Sequence, residues 1–164
     1  MKSPPILGRQ TQDLLCIIYR FSKEKKAKLY IVGGILRDIL LKRVKDNLDI
    51  DFCLKKDAIN FGRKLAAEIK AGFVVLDKEH GACRLVKKVK DTNYTLDFTD
   101  FRGIDLDDDL LHRDFTINTL AVELDRLITR DKLSDILIDR YGAINDLHLG
   151  IIRAVNQKIG RAHV

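Results

Sequence analysis

Leu48-Asp49-Ile50-Asp51-Phe52-Cys53-Leu54 alternates apolar and acidic side chains over its first five positions. Successive side chains leave a strand on opposite faces, so a period of two marks a β-strand with unlike sides. Leu48, Ile50 and Phe52 then enter a core. Asp49 and Asp51 stand together on the other face, with Cα atoms roughly 6.5 Å apart. Two carboxylates so placed repel unless solvent or a cation lies between them. The pair is either a solvent-facing edge or part of a cation site. Hard divalent ions such as Mg²⁺ take oxygen ligands of this type and keep positions open for phosphate.

Leu96-Asp97-Phe98 repeats the pattern. Alone, Asp97 reads as a surface acid or as the partner of a nearby Lys. If the two strands are neighbours, Asp97 joins Asp49 and Asp51. Three such carboxylates can hold two metals about 3.5–4 Å apart, an arrangement suited to in-line phosphoryl transfer. Upstream, the apolar run Leu29-Tyr30-Ile31-Val32 ends at Gly33-Gly34, a buried strand followed by a turn. Glycines let backbone N–H groups approach an anion, and the helix start beyond them adds partial positive charge. A Gly-Gly pair is also a common plain turn. Neither the Gly-X-Gly-X-X-Gly fingerprint nor a Gly-Lys-Ser/Thr loop is present.

Around these stretches, the 164 residues amount to one domain. Lys+Arg 30 against Asp+Glu 24 leaves a net charge of +6, which suits a polyanionic partner. No stretch approaches the roughly 18 apolar residues of a membrane span, and no secretory signal follows Met1. Cys16, Cys53 and Cys83 are read as buried free thiols, which points to a reducing, cytoplasmic setting. Helical periodicity covers Thr11 to Lys26 (Leu14, Leu15, Ile17, Ile18 and Phe21 inward) and Ile35 to Lys42 (Ile35, Ile39 and Leu40 inward). Asp57 is placed as N-cap of a helix through Lys70, with Ile59, Leu65, Ala66 and Ile69 as its core stripe. Strands are expected at 73–76, 82–87 and 94–101, a loop over Arg102 to Leu111, and a helix from His112 to Leu124. Ile136 to Ile138 is a short strand or loop edge, a short helix ends at Gly150, and Ile151 to Arg153 is the last element. The fold class is α+β, with a small mixed or antiparallel sheet flanked by helices. Residues 1–10 read as a flexible arm and 156–164 as a disordered or non-native tail.

Gly33-Gly34-Ile35-Leu36-Arg37-Asp38 followed by Asp49-Ile50-Asp51 resembles the first motif of the class II tRNA nucleotidyltransferase (CCA-adding enzyme) and bacterial poly(A) polymerase family. His112-Arg113-Asp114-Phe115-Thr116-Ile117-Asn118 resembles its Arg-Arg-Asp second motif. Asp139 to Leu147, then Ile152-Arg153, resembles the stretch that closes the head domain. The resemblance runs from about Leu29 to Val155. It implies a polymerase-β-like nucleotidyltransferase fold for residues 11–155, and a Mg²⁺-dependent enzyme that transfers NMP from an NTP to an RNA 3′-hydroxyl. It implies that Asp49, Asp51 and Asp97 are the catalytic carboxylates and ligate two Mg²⁺. Gly33 and Gly34 would cradle the triphosphate, and Arg113, Asp114 and Asn118 would hold ribose and phosphates. Arg37 would contact phosphate or pair with Asp38. ATP or CTP and a tRNA 3′ end are the implied substrates, without a membrane partner.

Three positions depart from the family pattern. His112 stands in place of the first Arg, Thr119 in place of Ala, and Ala143 in place of a second Gly. His112 removes one permanent charge, so nucleotide affinity is expected to depend on pH. The neck, body and tail domains of the family lie outside these residues, and with them the neck residues that select the base. The alternatives are a poly(A) polymerase head, transfer to a protein or small molecule, and a non-catalytic nucleotide- or RNA-binding fragment. The last would have no use for the carboxylates.

Overall fold

Phe52 and Phe98 stack side by side, ring centroids 4.7 Å apart and planes 5° from parallel. They belong to neighbouring strands at the middle of the sheet. The computed structural model describes residues 7–129 and 132–156. Its elements are α1 (Arg9–Glu24), β1 (Tyr30–Val32), α2 (Gly34–Leu40), β2 (Leu48–Leu54), α3 (Ala58–Ile69), β3 (Gly72–Asp77) and β4 (Ala82–Val89). Then follow β5 (Thr92–Asp100), α4 (Leu106–Leu111), β6 (Ala121–Glu123), α5 (Leu124–Thr129) and α6 (Ala143–Leu149), with 3₁₀ turns at Thr116–Asn118 and Leu133–Asp135. The six strands form one sheet in the order β3-β4-β5-β2-β1-β6. Only β2 and β5 run parallel, and the other neighbours are antiparallel. Parallel neighbours need a long crossover, which α3 and the β3–β4 hairpin supply. The sheet is mixed, as the element order predicts.

The two faces of the sheet differ in chemistry. On one, Ile31, Ile50, Phe52, Leu85, Leu96 and Phe98 are buried under α1 and α3. Phe61 of α3 packs on Phe98, and Phe21 of α1 packs on Phe61, each at 5.4 Å. Full burial of one such side chain contributes roughly 1.5–3 kcal/mol, so this aromatic chain anchors both helices. On the opposite face a smaller cluster of Val32, Cys53, Ala121, Leu106 and Leu110 seats α4. The acidic positions of β2 and β5 lie on that second face.

Several expectations change. The segment 102–111 is not wholly loop, because its second half is α4: the Asp105 carboxylate accepts from Asp108 N–H as a side-chain N-cap, and Leu106 and Leu110 are buried one turn apart. Residues 112–124 are not one helix. Leu120, Ala121 and Val122 are all buried, and in β6 Ala121 and Val122 point into opposite clusters. An unbroken apolar run of this length suits a strand buried on both sides as well as a helix. Asp57 does not cap α3 through its side chain; it adopts φ 69°, and Asp100 of β5 accepts from Ala58 N–H instead, at 2.8 Å. Ile17 and Leu40 face solvent, Ile59 and Cys16 are half-buried, and Leu36 takes the inward place in α2. Ile151 to Arg153 form no strand; a single bridge joins Ala154 to Phe115. Most of the expected arm and tail falls outside the described residues, but Leu7 is buried and α1 already begins at Arg9.

Where α3 crosses β4, Gly62 allows an approach that a methyl group would block. A Cβ there would overlap Cys83 Sγ and sit 3.3 Å from Leu85 Cδ1. Gly→Ala in a helix interior ordinarily stabilises by about 0.5–1 kcal/mol; here overpacking of about 1–3 kcal/mol reverses the sign. Gly62→Ala is expected to lower the urea midpoint, and adding Cys83→Ala to recover most of the loss.

Candidate active site

The alternation of β2 places Asp49 and Asp51 on the face away from the helical core. The parallel register sets Asp51 beside Asp97, and the antiparallel register sets Asp97 beside Arg84 of β4. All three predicted carboxylates therefore share one face. Asp97 is not paired with a Lys. Arg84 grips it with two charge-assisted bonds of 2.8 Å, from Nε and Nη2 to the two carboxylate oxygens. Burial pushes the Asp51 carboxyl above its ordinary value. The charge of Asp97 and then that of Asp49 push the same way, and Arg113 and Arg84 oppose them. Asp49 is exposed and Asp51 half-buried, so the pair is a set of hard oxygen donors short of positive charge. Such donors fit Mg²⁺. Among the described residues no three His, Cys, Asp or Glu side chains converge as a ready metal cage, consistent with Asp97 being held by Arg84.

Gly33 lies where the carboxylates meet the second motif. It has φ 79°, a conformation glycine adopts at little cost. A Cβ there would lie 3.3 Å from Asp51 Oδ2 and 3.4 Å from Arg113 Nη1. This buried backbone position is thus walled by one carboxylate and one guanidinium, with little room for a side chain. Arg113 is held from behind: its Nη2 donates to Asp109 Oδ2 at 3.2 Å, and Asp109 also accepts from Arg102 N–H at 3.0 Å. Asp109 is 2% exposed. Arg113 Nε is the one buried side-chain polar atom without a hydrogen-bond partner among the described residues. A donor left over at a cationic side chain is chemistry that suits an anion.

The remaining predicted residues form a chain of bonds rather than a cluster at Gly33. Arg37 Nε donates to Asp38 at 3.0 Å and Arg37 Nη1 to Asn118 Oδ1 at 2.8 Å. Asn118 Nδ2 in turn donates to Asp114 Oδ1 at 3.0 Å. Of the two expectations for Arg37, the pairing with Asp38 is present, and Arg37 Nη2 lies 3.2 Å from where a Gly34 Cβ would stand. Burial raises the Asp114 carboxyl, but hydrogen bonds from Asn118 and Phe115 N–H outweigh it and hold the group below its ordinary range. His112 is exposed and donates from Nδ1 to the Asp108 carbonyl at 2.7 Å. Thr119, where Ala was expected, is buried and donates to the Thr116 carbonyl at 2.6 Å.

The third stretch supports the second. Asp139 accepts from Ala143 and Ile144 N–H at the start of α6. Asp146, buried, binds Arg153 through two bonds of 3.1 Å and Thr116 Oγ1 at 2.5 Å. Sequence reading missed Arg84, Asp109 and the linking role of Asp146. Arg84 sits in an ordinary alternating strand, and only pairing register reveals it. Asp109 and Arg113 are four apart, but one was read as loop.

Residues 29–153 match the model of the poly A polymerase head domain, and the chain belongs to that family. It is 36% identical over 125 residues to the CC-adding tRNA nucleotidyltransferase of Synechocystis sp., covering 76% of this chain and 27% of that protein. It is 32% identical over 165 residues to the A-adding tRNA nucleotidyltransferase of Geobacter sulfurreducens, covering 92% and 17%. The structure of the Thermotoga maritima CCA-adding enzyme complexed with tRNA superposes with a TM-score of 0.73 at 30% identity, over 92% of this chain and 34% of that one. The fold is that of the nucleotidyltransferase head of CCA-adding enzymes. The chain spans about a quarter of the first relative's length.

The bonds from Arg153 and then Thr116 hold Asp146 below the ordinary carboxylate range. A depressed folded-state pKa contributes stability above the unfolded pKa, and that contribution is lost as pH falls through the folded value. Asp146→Asn should therefore melt below the unaltered chain at pH 7. The gap in Tm should close as both are titrated below the ordinary Asp range of about 3.9.

Proposed function

We propose that this domain is the catalytic head of a Mg²⁺-dependent RNA nucleotidyltransferase, in which an RNA 3′-hydroxyl attacks the α-phosphate of an NTP and pyrophosphate leaves. The observation that carries the reading is the meeting of Asp51 and Arg113 at Gly33, with Asp97 registered beside Asp51. A carboxylate pair and an anion-binding guanidinium beside one backbone position without a side chain are what a metal–triphosphate substrate requires. Asp49 and Asp51 would hold Mg²⁺, with Asp97 the third carboxylate once Arg84 releases it. When bound, the metal supplies positive charge that lowers the pKa of an attacking hydroxyl and offsets charge on the transferring phosphate. Arg113, fixed by Asp109, offers its donors to phosphate oxygens, and Gly33 puts no side chain between Arg113 and Asp51. Asn118, itself held by Asp114, sets the position of Arg37, and Asp114 and Asn118 would address the nucleotide's ribose and phosphates.

The names of the relatives direct the acceptor toward a tRNA 3′ end, since CC-, A- and CCA-adding enzymes all match. A poly(A)-forming head shares the same chemistry. The site residues address phosphate and ribose, so base choice rests on parts of the protein beyond them. No helix among the described residues is long and apolar enough to cross a membrane, and all three cysteines are free. Free thiols accord with a reducing, cytoplasmic setting.

Two measurements test the reading. Calorimetry should show weak binding of ATP and CTP to this chain that requires Mg²⁺, differs little between the bases and is lost in Arg113→Ala; strong preference for one base would contradict it. In the longest form of the protein carrying these residues, Asp49→Ala or Asp51→Asn should cut addition to tRNA lacking its 3′ end. The loss should be at least on the order of 10²–10³-fold, the effect of removing one group that stabilises transition-state charge. Asp51→Asn should also raise Tm, because it relieves repulsion from Asp97 and Asp49. Retained turnover in the double variant would overturn the reading.

A further inference from the structure

At the end of β2 beyond Leu54 lies a cavity of about 570 Å³ that the site above does not use. Six lysines line it: Lys25, Lys26, Lys28, Lys55, Lys56 and Lys64, against one acid, Asp57. All six are exposed. Lys25 pairs with Glu24 at 3.1 Å and Lys28 with Glu123 at 3.4 Å. Lys26, Lys55, Lys56 and Lys64 have no ion pair among the described residues, and the Asp57 carboxylate accepts from Asn60. The lysines come from the end of α1, the approach to β1, the exit of β2 and the face of α3, so independent elements gather like charge in one recess. Like charges so gathered repel, which disfavours the arrangement unless an anion offsets it.

The floor is aromatic. Tyr30 and Phe101 stand with ring centroids 6.0 Å apart, tilted by 44°, and Lys28 Nζ lies 5.5 Å from the Tyr30 centroid. Tyr30, Phe73 and Phe115 all lie in apolar stretches of the sequence. All three are at least partly exposed, so stacking surfaces exist that the apolar runs concealed. Lys55 is four residues beyond Asp51, roughly 13 Å along the strand by the rise per residue. A phosphate in this recess is therefore not the one at Gly33.

We propose that the lysine-lined recess is a docking site for the phosphate backbone of RNA, separate from the nucleotide site; the proposal rests on the RNA-directed reading above. Lysines are flexible point charges without the planar fork that reads a fixed geometry, and phosphate contacts position a nucleic acid without reading its sequence. Aromatic rings beside a cationic groove are the second component of sequence-tolerant single-strand binding. A concave recess between four elements accepts a strand rather than the plane of a membrane. A free nucleotide is less suited, because the lysines are carried by four separate segments of the chain.

The test uses the full 164-residue chain with Lys55→Ala/Lys56→Ala/Lys64→Ala, and a second variant with Arg at the same positions. Filter binding is measured over a salt series with a tRNA lacking its 3′ end and with an unrelated single-stranded RNA. Removing three phosphate contacts should reduce the slope of log affinity against log salt by about 2. Affinity for both RNAs should fall about equally, roughly tenfold or more at low salt. The Arg variant should bind like the unaltered chain, and Mg²⁺-dependent ATP binding should be the same in all three. Unchanged RNA affinity and slope in the Ala variant would overturn the docking site while leaving the nucleotidyltransferase reading intact. Loss of ATP binding, or of binding to phosphatidylserine vesicles, with RNA binding retained would overturn it in favour of a nucleotide or a membrane. Absence of RNA binding by the unaltered chain would overturn it as well, and loss of ATP binding there too would remove the reading beneath it.

Discussion

One ladder of backbone hydrogen bonds, between β2 and β5, sets Phe52 against Phe98 on one side of the sheet and Asp51 against Asp97 on the other. The same register forces both contacts, so the favourable one must outweigh the other. Two unit charges about 5 Å apart repel by about 3 kcal/mol at an effective dielectric near 20. Burial of two phenylalanines contributes roughly 1.5–3 kcal/mol each, and their stacking about 0.5–1.5 kcal/mol more. The aromatic side wins, and Arg84 removes part of the opposing term by gripping Asp97. The carboxylates are held together by a core they do not touch.

The side of the site toward the second motif follows a different logic. Its cationic group, Arg113, is fixed by a carboxylate that is nearly fully buried. Desolvation of both charges offsets much of their attraction, so a pair of this type contributes placement more than net stability. Asp109 reaches its position because α4 is seated on the small cluster of Val32, Cys53 and Ala121, next to the strand that leads into Gly33. Acid and base of the site are thus mounted on the same face through separate packing units.

Much of this was legible in the residues. Alternation at 48–54 and 96–98 predicted which side chains face the core, and it held at each of Leu48, Ile50, Phe52, Leu96 and Phe98. The glycine turn after an apolar strand was also legible, since Gly33 does require its positive φ. Several of the misses depend on partners distant in sequence. Arg84 could not be read because its meaning lies in the register of β4 on β5, and Asp100 could not be read as the cap of α3 because it arrives from 42 residues away. The error over 112–124 has a local cause: a three-residue strand carries too few positions for its period to be distinguished from a helical one.

The backbone pairing of Ala154 with Phe115 ties the last described residues to the second motif. Thr116 N–H donates to the Arg153 carbonyl at 2.9 Å, and Val155 N–H to the Asp114 carbonyl at 3.0 Å. The two bonds flank the single bridge between Phe115 and Ala154 and fix its register, since a shift of one residue would break both. Segment 153–155 thereby shares its backbone bonds with Asp114 and Thr116. The chain after Arg153 is thus tied by backbone to the residues on either side of Phe115, whereas the carboxylates of β2 and β5 are stitched into the middle of the sheet.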